Sequence, residues 1–162
     1  MIIRPAREAD HEAISAIWTP VIRDTTIIFH AEDRDPATVK TIIDGRRALG
    51  HEFLVAEEAG AVEGFATYAQ FRSGNGYAHA LEHSIILAPG ARGRGTGRAL
   101  MAAIEDHARA AGGHTLFAGV SGENAEGIAF HERIGFRTVA VLPEAGRKFG
   151  RWLDLVLMMK FL

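Results

Sequence analysis

Three groups of residues in this chain have the types and spacing to do chemistry: the run Arg92-Gly93-Arg94-Gly95-Thr96-Gly97-Arg98, the segment Glu82-His83-Ser84, and the pair Asn124 and His131. The first is built for phosphate. Its glycines let the backbone approach an anion, and a strongly helical stretch follows, so unpaired N–H groups and the positive end of a helix dipole point at whatever lies there. Three arginines add charge, which points to a ligand carrying a pyrophosphate. A P-loop is excluded, because no Gly-Lys pair followed by a hydroxyl residue occurs near the run. A dinucleotide fingerprint beginning at Gly93 fails as well, since Arg98 stands where the third glycine belongs.

Asn124 and His131 lie seven positions apart on one expected helix, so they share a face and are separated by roughly 10 Å. Both could touch one extended ligand. Asn124 also reads as a plain helix cap and His131 as a half-buried surface histidine, and these readings stay open beside the functional ones. On their strand Glu82 and Ser84 share one face, opposite His83 and Ile85. His79 and His83 have a spacing seen in metal sites, but no third ligand accompanies them, so no metal is expected.

Composition narrows the ligand. The 162-residue chain suits one domain over residues 1–162, and its formal net charge of -2 gives no global basic field for nucleic acid. The absence of cysteine excludes disulfides, thiolate metal sites and an acyl-cysteine intermediate. The N-terminus lacks a signal-peptide core and no apolar run is long enough to span a membrane, so a soluble cytoplasmic protein is expected.

The elements that must hold these residues read as follows. A strand at Ile2–Arg4 precedes a helix from about Asp10 whose apolar face is Ile14, Ile17, Trp18 and Val21. Asp35-Pro36 opens a second helix running to about Leu49 and stopped by Gly50. Phe53–Glu57 and Val62–Phe71 read as a hairpin, and Ala78–Leu87 continues the sheet after the turn Ser73-Gly74-Asn75-Gly76. The phosphate loop feeds a helix from about Gly95 to Ala111 with Leu100, Ile104 and Ala108 on one stripe. Leu116–Val120 is a buried strand, Asn124 caps a short helix ended by Gly135, and strands Phe136–Leu142 and Trp152–Met159 complete the sheet. The order β-α-α-β-β-β-α-β-α-β-β makes an α/β domain.

With that order in place, Leu87-Ala88-Pro89-Gly90-Ala91-Arg92-Gly93-Arg94-Gly95-Thr96-Gly97 resembles the acetyl-CoA motif [QR]-x-x-G-x-[GA] of the GNAT N-acetyltransferases. The later Asn124 and His131-Glu132-Arg133-Ile134-Gly135-Phe136 resemble their second motif. Asp24-Thr25-Thr26, Glu82-His83-Ser84 and Lys148-Phe149-Gly150-Arg151-Trp152-Leu153-Asp154 are similar to the branch of phosphinothricin, methionine sulfoximine and methionine sulfone N-acetyltransferases. The resemblance covers essentially the whole chain. It implies a GNAT fold, a central mixed twisted sheet of about seven strands flanked by about four helices, with acetyl-CoA as co-substrate and a homodimer.

The resemblance also implies roles. Arg92, Gly93, Arg94, Gly95, Thr96, Gly97 and Arg98 would hold the pyrophosphate. Ile85, Ile86 and Leu87 would offer backbone groups to the pantetheine arm and the oxyanion, and Asn124 would contact the cofactor. Glu82 would take the proton that an aliphatic ammonium must lose before it attacks a thioester, and His131 would protonate the departing thiolate. Arg72, Ser73, Gly74, Glu82, His83 and Ser84 would meet the substrate, with Arg72 reading a carboxylate or phosphinate in a bidentate fork. The chain departs from the branch at Phe71-Arg72-Ser73-Gly74, where Trp-Arg and an aromatic two positions on are usual. It departs also at Trp18 and Ile86, where tyrosine is usual, and at Gly127, where serine is usual. These departures imply a wider or differently shaped substrate pocket.

The reading that results is an N-acetyltransferase moving acetyl directly to the amine of a small amino-acid-like substrate in a ternary complex. The other readings are a different primary amine, such as another amino acid or a polyamine, and a non-catalytic acyl-CoA-binding regulatory domain.

Overall fold

In the computed structural model, which describes residues 1–162, a seven-stranded sheet carries helices on both faces. The chain runs β1 (Ile2–Pro5), α1 (His11–Asp24), α2 (Pro36–Ala48), β2 (Phe53–Glu58), β3 (Ala61–Gln70), β4 (Ala80–Leu87), α3 (Thr96–Ala110), β5 (Thr115–Ser121), α4 (Ala125–Arg133), β6 (Arg137–Lys148) and β7 (Arg151–Phe161). The strand order is β1-β2-β3-β4-β5-β7-β6, mixed in direction, with the single parallel pair β4 and β5 joined by the crossover through α3. No helix is long and apolar enough to cross a membrane.

Strand alternation sends successive side chains to two separate cores. On one face Ile14, Trp18 and Ile22 of α1 and Val39 and Ile43 of α2 pack against Phe53, Val55, Phe65 and Ile86. Trp18 stands 4.8 Å from Phe65, and Phe53 stacks on Phe65 at 5.1 Å. On the other face Leu100, Met101, Ile104 and Ala108 of α3 cover Ala66, Tyr68, Leu116, Ala118 and Met158, with Ile128 and Phe130 of α4 packed alongside. Each fully buried aliphatic side chain contributes roughly 1.5–3 kcal/mol. The face of α1 is one residue off the expected set: Ile22 is buried and Val21 half-buried, because the Ile14-Trp18-Ile22 stripe keeps strict i, i+4 spacing.

Two further boundaries differ from expectation. Residues 75–77 form a 3-10 turn, so β4 begins at Ala80. The final hairpin is longer than expected, with β6 continuing through Pro143 to Lys148 and β7 beginning at Arg151. Pro143 reads as a breaker, but β6 is the sheet edge and its register shifts between Leu142 and Gly146, where the ladder asks for no N–H from it. The hairpin closes at Phe149 and Gly150, both in the left-handed region. Lys148 is buried, and its Nζ donates to the carbonyls of Ile22 and Ile28, tying the end of α1 to this hairpin.

Candidate active site

The site follows from where β4 and β5 stop pairing. They are joined only from Ala80 to Glu82 against Thr115 to Phe117, and beyond that they part. β3 pairs with β4 along its whole length, and the Ala88 N–H donates to Glu63 O. Antiparallel alternation therefore commits the backbone of Ile86 to Phe65 and turns the N–H and C=O groups of Ile85 and Leu87 toward the gap. Of the three residues expected to offer backbone, Ile85 and Leu87 do so. Ile86 presents its backbone to β3 and its side chain to the α1 and α2 core.

The gap opens into a cleft of about 820 Å³ lined by Ile85, Leu87, Gly93, Arg98, Asn124 and His131 among others. The phosphate loop closes one end. Gly93 and Gly95 have positive φ of 73° and 88°, and nothing lies within 4 Å of where a Cβ would sit on either, which leaves the backbone open to an anion. The three loop arginines separate. Arg92 and Arg98 line the cleft, whereas Arg94 pairs with Glu58 and lies 3.6 Å from Glu63, clamping the loop to the β2–β3 hairpin. Thr96 is buried at the start of α3, and Gly97 packs under Phe130, 3.2 Å from where its Cβ would sit. A pyrophosphate fits the open N–H groups, the positive end of α3 and the two arginines that line the cleft, Arg98 and Arg92, the latter 3.9 Å from Glu126, and an amide-rich arm fits the unpaired edge of β4.

α4 forms the wall opposite. Asn124 caps it, accepting from the Gly127 N–H at 2.9 Å, and also lines the cleft. The His131 Nδ1 donates to Gly127 O at 2.7 Å, and its Nε2 lies 3.2 Å from the Nε2 of His83. Burial pulls His131 below the ordinary imidazole value, opposed by the bond to Gly127. His83 is fully enclosed, and burial together with the neighbouring His131 brings it down to about 3; its Nδ1 has no partner. His83 is thus neutral, and it meets α4 rather than the substrate face.

Glu82 lies on the other face of β4. Its Oε1 would stand 2.9 Å from a Cβ on Gly119, so the carboxylate lies across β5 where that strand has a glycine. Burial raises its pKa, and the charge of Arg46 on α2 partly offsets this. Ser84 and Ile86 share its face. Arg72, Ser73 and Gly74 are exposed on the β3–β4 connection, where Arg72 lies over Tyr77 at 5.6 Å and Gln70 donates to the carbonyls of Arg72 and Gly74. Phe71 stacks on Phe117 at 4.3 Å beside them. Glu82 and His131 thus stand on opposite faces of the sheet, and of the two His131 lines the cleft while the Glu82 carboxylate lies beside Gly119 of β5. Arg46 and Gly119 were not among the expected site residues. A lone glycine inside an apolar strand was the one local signal for Gly119. No group of three His, Asp or Glu side chains converges as a metal site would.

Comparison with known proteins agrees with this geometry. The acetyltransferase (GNAT) domain family matches residues 3–157. The L-methionine sulfoximine/L-methionine sulfone acetyltransferase of Salmonella typhimurium is 38% identical over 158 residues, covering 98% of this chain and 92% of that protein. The phosphinothricin N-acetyltransferase of Streptomyces coelicolor is 34% identical over 156 residues, covering 94% of this chain and 91% of that one. The solved structure of yncA from Salmonella typhimurium with its cofactor acetyl-CoA superposes with a TM-score of 0.95 at 38% identity, covering 100% of this chain and 94% of that one.

Proposed function

This chain belongs to the GNAT acetyltransferase family and is an acetyl-CoA-dependent N-acetyltransferase, and we propose that its acceptor is the amine of a small amino-acid-like substrate of the methionine sulfoximine, methionine sulfone or phosphinothricin type. The observation that carries this reading is the gap between β4 and β5, with a glycine cradle at one end and the half-buried Glu82 carboxylate on the last paired residue of β4 at the other.

The cradle residues Gly93, Gly95, Arg92 and Arg98 hold the pyrophosphate, with Asn124 and the edge of β4 alongside the extended arm. Acetyl-CoA supplies the activated acyl group. Glu82 removes the ammonium proton, a task suited to a carboxylate whose pKa burial has raised toward working pH. The free N–H groups of Ile85 and Leu87 stabilise the developing oxyanion. His131 returns a proton to the sulfur, which requires that it carry a proton on Nε2 and turn that N–H from His83 to the leaving group. Arg72, with Ser73 and Gly74, meets the acid end of the substrate, and Ser84 lies on the face that receives it.

We further propose one domain over residues 1–162, acting in the cytoplasm where acetyl-CoA is available, and a homodimer formed through the last hairpin. Val139, Val141, Phe149 and Trp152 are exposed there, Trp152 by 58%, and Arg147 covers Trp152 at 4.9 Å in the manner of an interface rim.

Thiol release from acetyl-CoA across a panel of amines tests the acceptor. Methionine sulfone, methionine sulfoximine and phosphinothricin should be turned over well ahead of polyamines. Acetylation of polyamines alone would replace this acceptor class with another.

A further inference from the structure

The run Asp24-Thr25-Thr26, which no step of the reaction uses, reaches across the molecule to Glu123. The Thr26 Oγ1 donates to the Glu123 Oε2 at 2.7 Å, and Arg151 grips the same carboxylate in a fork, Nη1 to Oε1 at 2.6 Å and Nη2 to Oε2 at 3.1 Å. Arg151 and Thr26 bring the Glu123 carboxyl down to about 2, so it is ionised at any working pH. A single exposed ion pair contributes little, but here both oxygens are used and three distant chain segments converge on one carboxylate. Those segments border the cleft. Val21 and Ile27 line it from α1 and the α1–α2 loop, and Asn124 and Ala125 line it from the start of α4, so the bond from Thr26 to Glu123 ties one wall to another.

Each side of that bond is itself anchored. On the α4 side the Gly122 N–H donates to Asp154 O at 2.8 Å, and the Glu123 N–H donates to the Ser121 Oγ at 3.3 Å. On the loop side the Thr25 Oγ1 donates to Val21 O at 2.6 Å and accepts from the Ile27 N–H at 3.2 Å. Lys148 holds Ile28 O, and the Phe29 ring occupies the place that a Cβ on Gly146 would take. The neighbours of Ile27 on both sides are therefore fixed to other elements, and the half-buried Ile27 side chain is left to the cleft. We infer that Glu123 is a positioning residue for acetyl-CoA: through Thr26 it sets Ile27 as an apolar wall against the pantetheine arm. A connecting loop left to itself is mobile, and a wall already in place spares the cofactor the ordering of that loop on binding. The inference rests on the acetyl-CoA reading of the cleft and assigns a residue that does not touch the reacting atoms.

The test measures the dissociation constants of acetyl-CoA, by calorimetry, and of ADP, by competition with it. ADP carries a pyrophosphate without the pantetheine arm, so it reports the glycine cradle alone. Glu123→Gln should raise the acetyl-CoA Kd about fivefold and leave that of ADP unchanged, which also reports that the variant is folded. Thr26→Val, equal in shape but without the hydroxyl, should weaken acetyl-CoA by about threefold, and Thr26→Ser should restore wild-type affinity. Ile27→Ala should weaken acetyl-CoA to a similar degree, and adding Glu123→Gln to it should bring no further loss, because both changes remove one wall. Thr26→Val and Thr26→Ser decide the matter if Glu123→Gln does not fold. Unchanged acetyl-CoA affinity in the folded variants, equal weakening of ADP and acetyl-CoA, or losses that add in the double variant would overturn the inference while the acetyltransferase reading stands. A wild type that does not bind acetyl-CoA removes the cofactor reading of the cleft, and this inference with it.

Discussion

His83 and His131 meet Nε2 to Nε2 at 3.2 Å, with the His131 Nδ1 committed to Gly127 O, so a single proton lies between the two rings. While His131 is neutral that proton belongs to His83, and the lone pair on the His83 Nδ1 is left buried without a donor. The pair is therefore a packed, neutral contact between β4 and α4, and it holds His131 at the cleft wall.

A pH dependence of stability follows. The folded pKa of His83, about 3, lies below its ordinary value of 6.5, so below that ordinary value the unfolded chain binds the proton that the folded chain refuses. Stability is complete above pH 6.5 and falls as pH drops toward 3. From pH 7 to pH 5 His83 alone costs about 2 kcal/mol. Urea unfolding at the two pH values should show wild type losing that much more than His83→Leu. Equal losses would mean that His83 is not held neutral.

The loop arginines should separate in cofactor binding. Arg92→Gln and Arg98→Gln each remove a cation lining the cleft and should raise the acetyl-CoA Kd about tenfold, more at low salt. Arg94→Gln, which loses its pairing with Glu58 and Glu63 and a long bond to Gly90 O, should change Kd by less than about threefold. Calorimetry on the three variants checks the order.

Gly119→Ala is a probe of Glu82. The added methyl would stand 2.9 Å from the Glu82 Oε1 and push the carboxylate aside, with Leu155 at 3.5 Å limiting where it can go. Turnover should fall about tenfold to a hundredfold with acetyl-CoA affinity unchanged. Unchanged kcat in steady-state assays would detach Glu82 from the reacting amine.

What was legible in the sequence was local. The glycine loop, the caps at Asp35 and Asn124, and the opposite facing of Glu82 and His83 each depend on a few neighbouring letters and on periodicity. What was not legible depends on chain segments far apart. His83 and His131 are 48 residues apart, and Arg94 finds Glu58 at a separation of 36. Arg46 reads as one more basic residue at the end of a helix until the sheet beneath it is in place. The length of β6 was hidden for another reason, because Pro143 breaks most strands but is tolerated at a shifted register on an edge.

The exposed apolar residues of β6 and β7 should be covered in solution. Light scattering at micromolar concentration should give twice the chain mass of 17.5 kDa, and Trp152→Glu with Val141→Glu should return it to the monomer. A wild-type mass equal to one chain would leave that surface free.

The central claim is that Glu82 takes the proton from the acceptor amine. The most direct measurement is the pH profile of kcat/KM for methionine sulfone with wild type, Glu82→Gln and His131→Phe. Wild type should rise through a group titrating above the ordinary carboxylate value, as burial of Glu82 requires. Glu82→Gln should be slowest near neutral pH, by about 100-fold or more, and recover in part as alkaline buffer deprotonates the amine, whereas His131→Phe should show no such recovery. A Glu82→Gln profile that parallels wild type, or matches that of His131→Phe, would contradict the account.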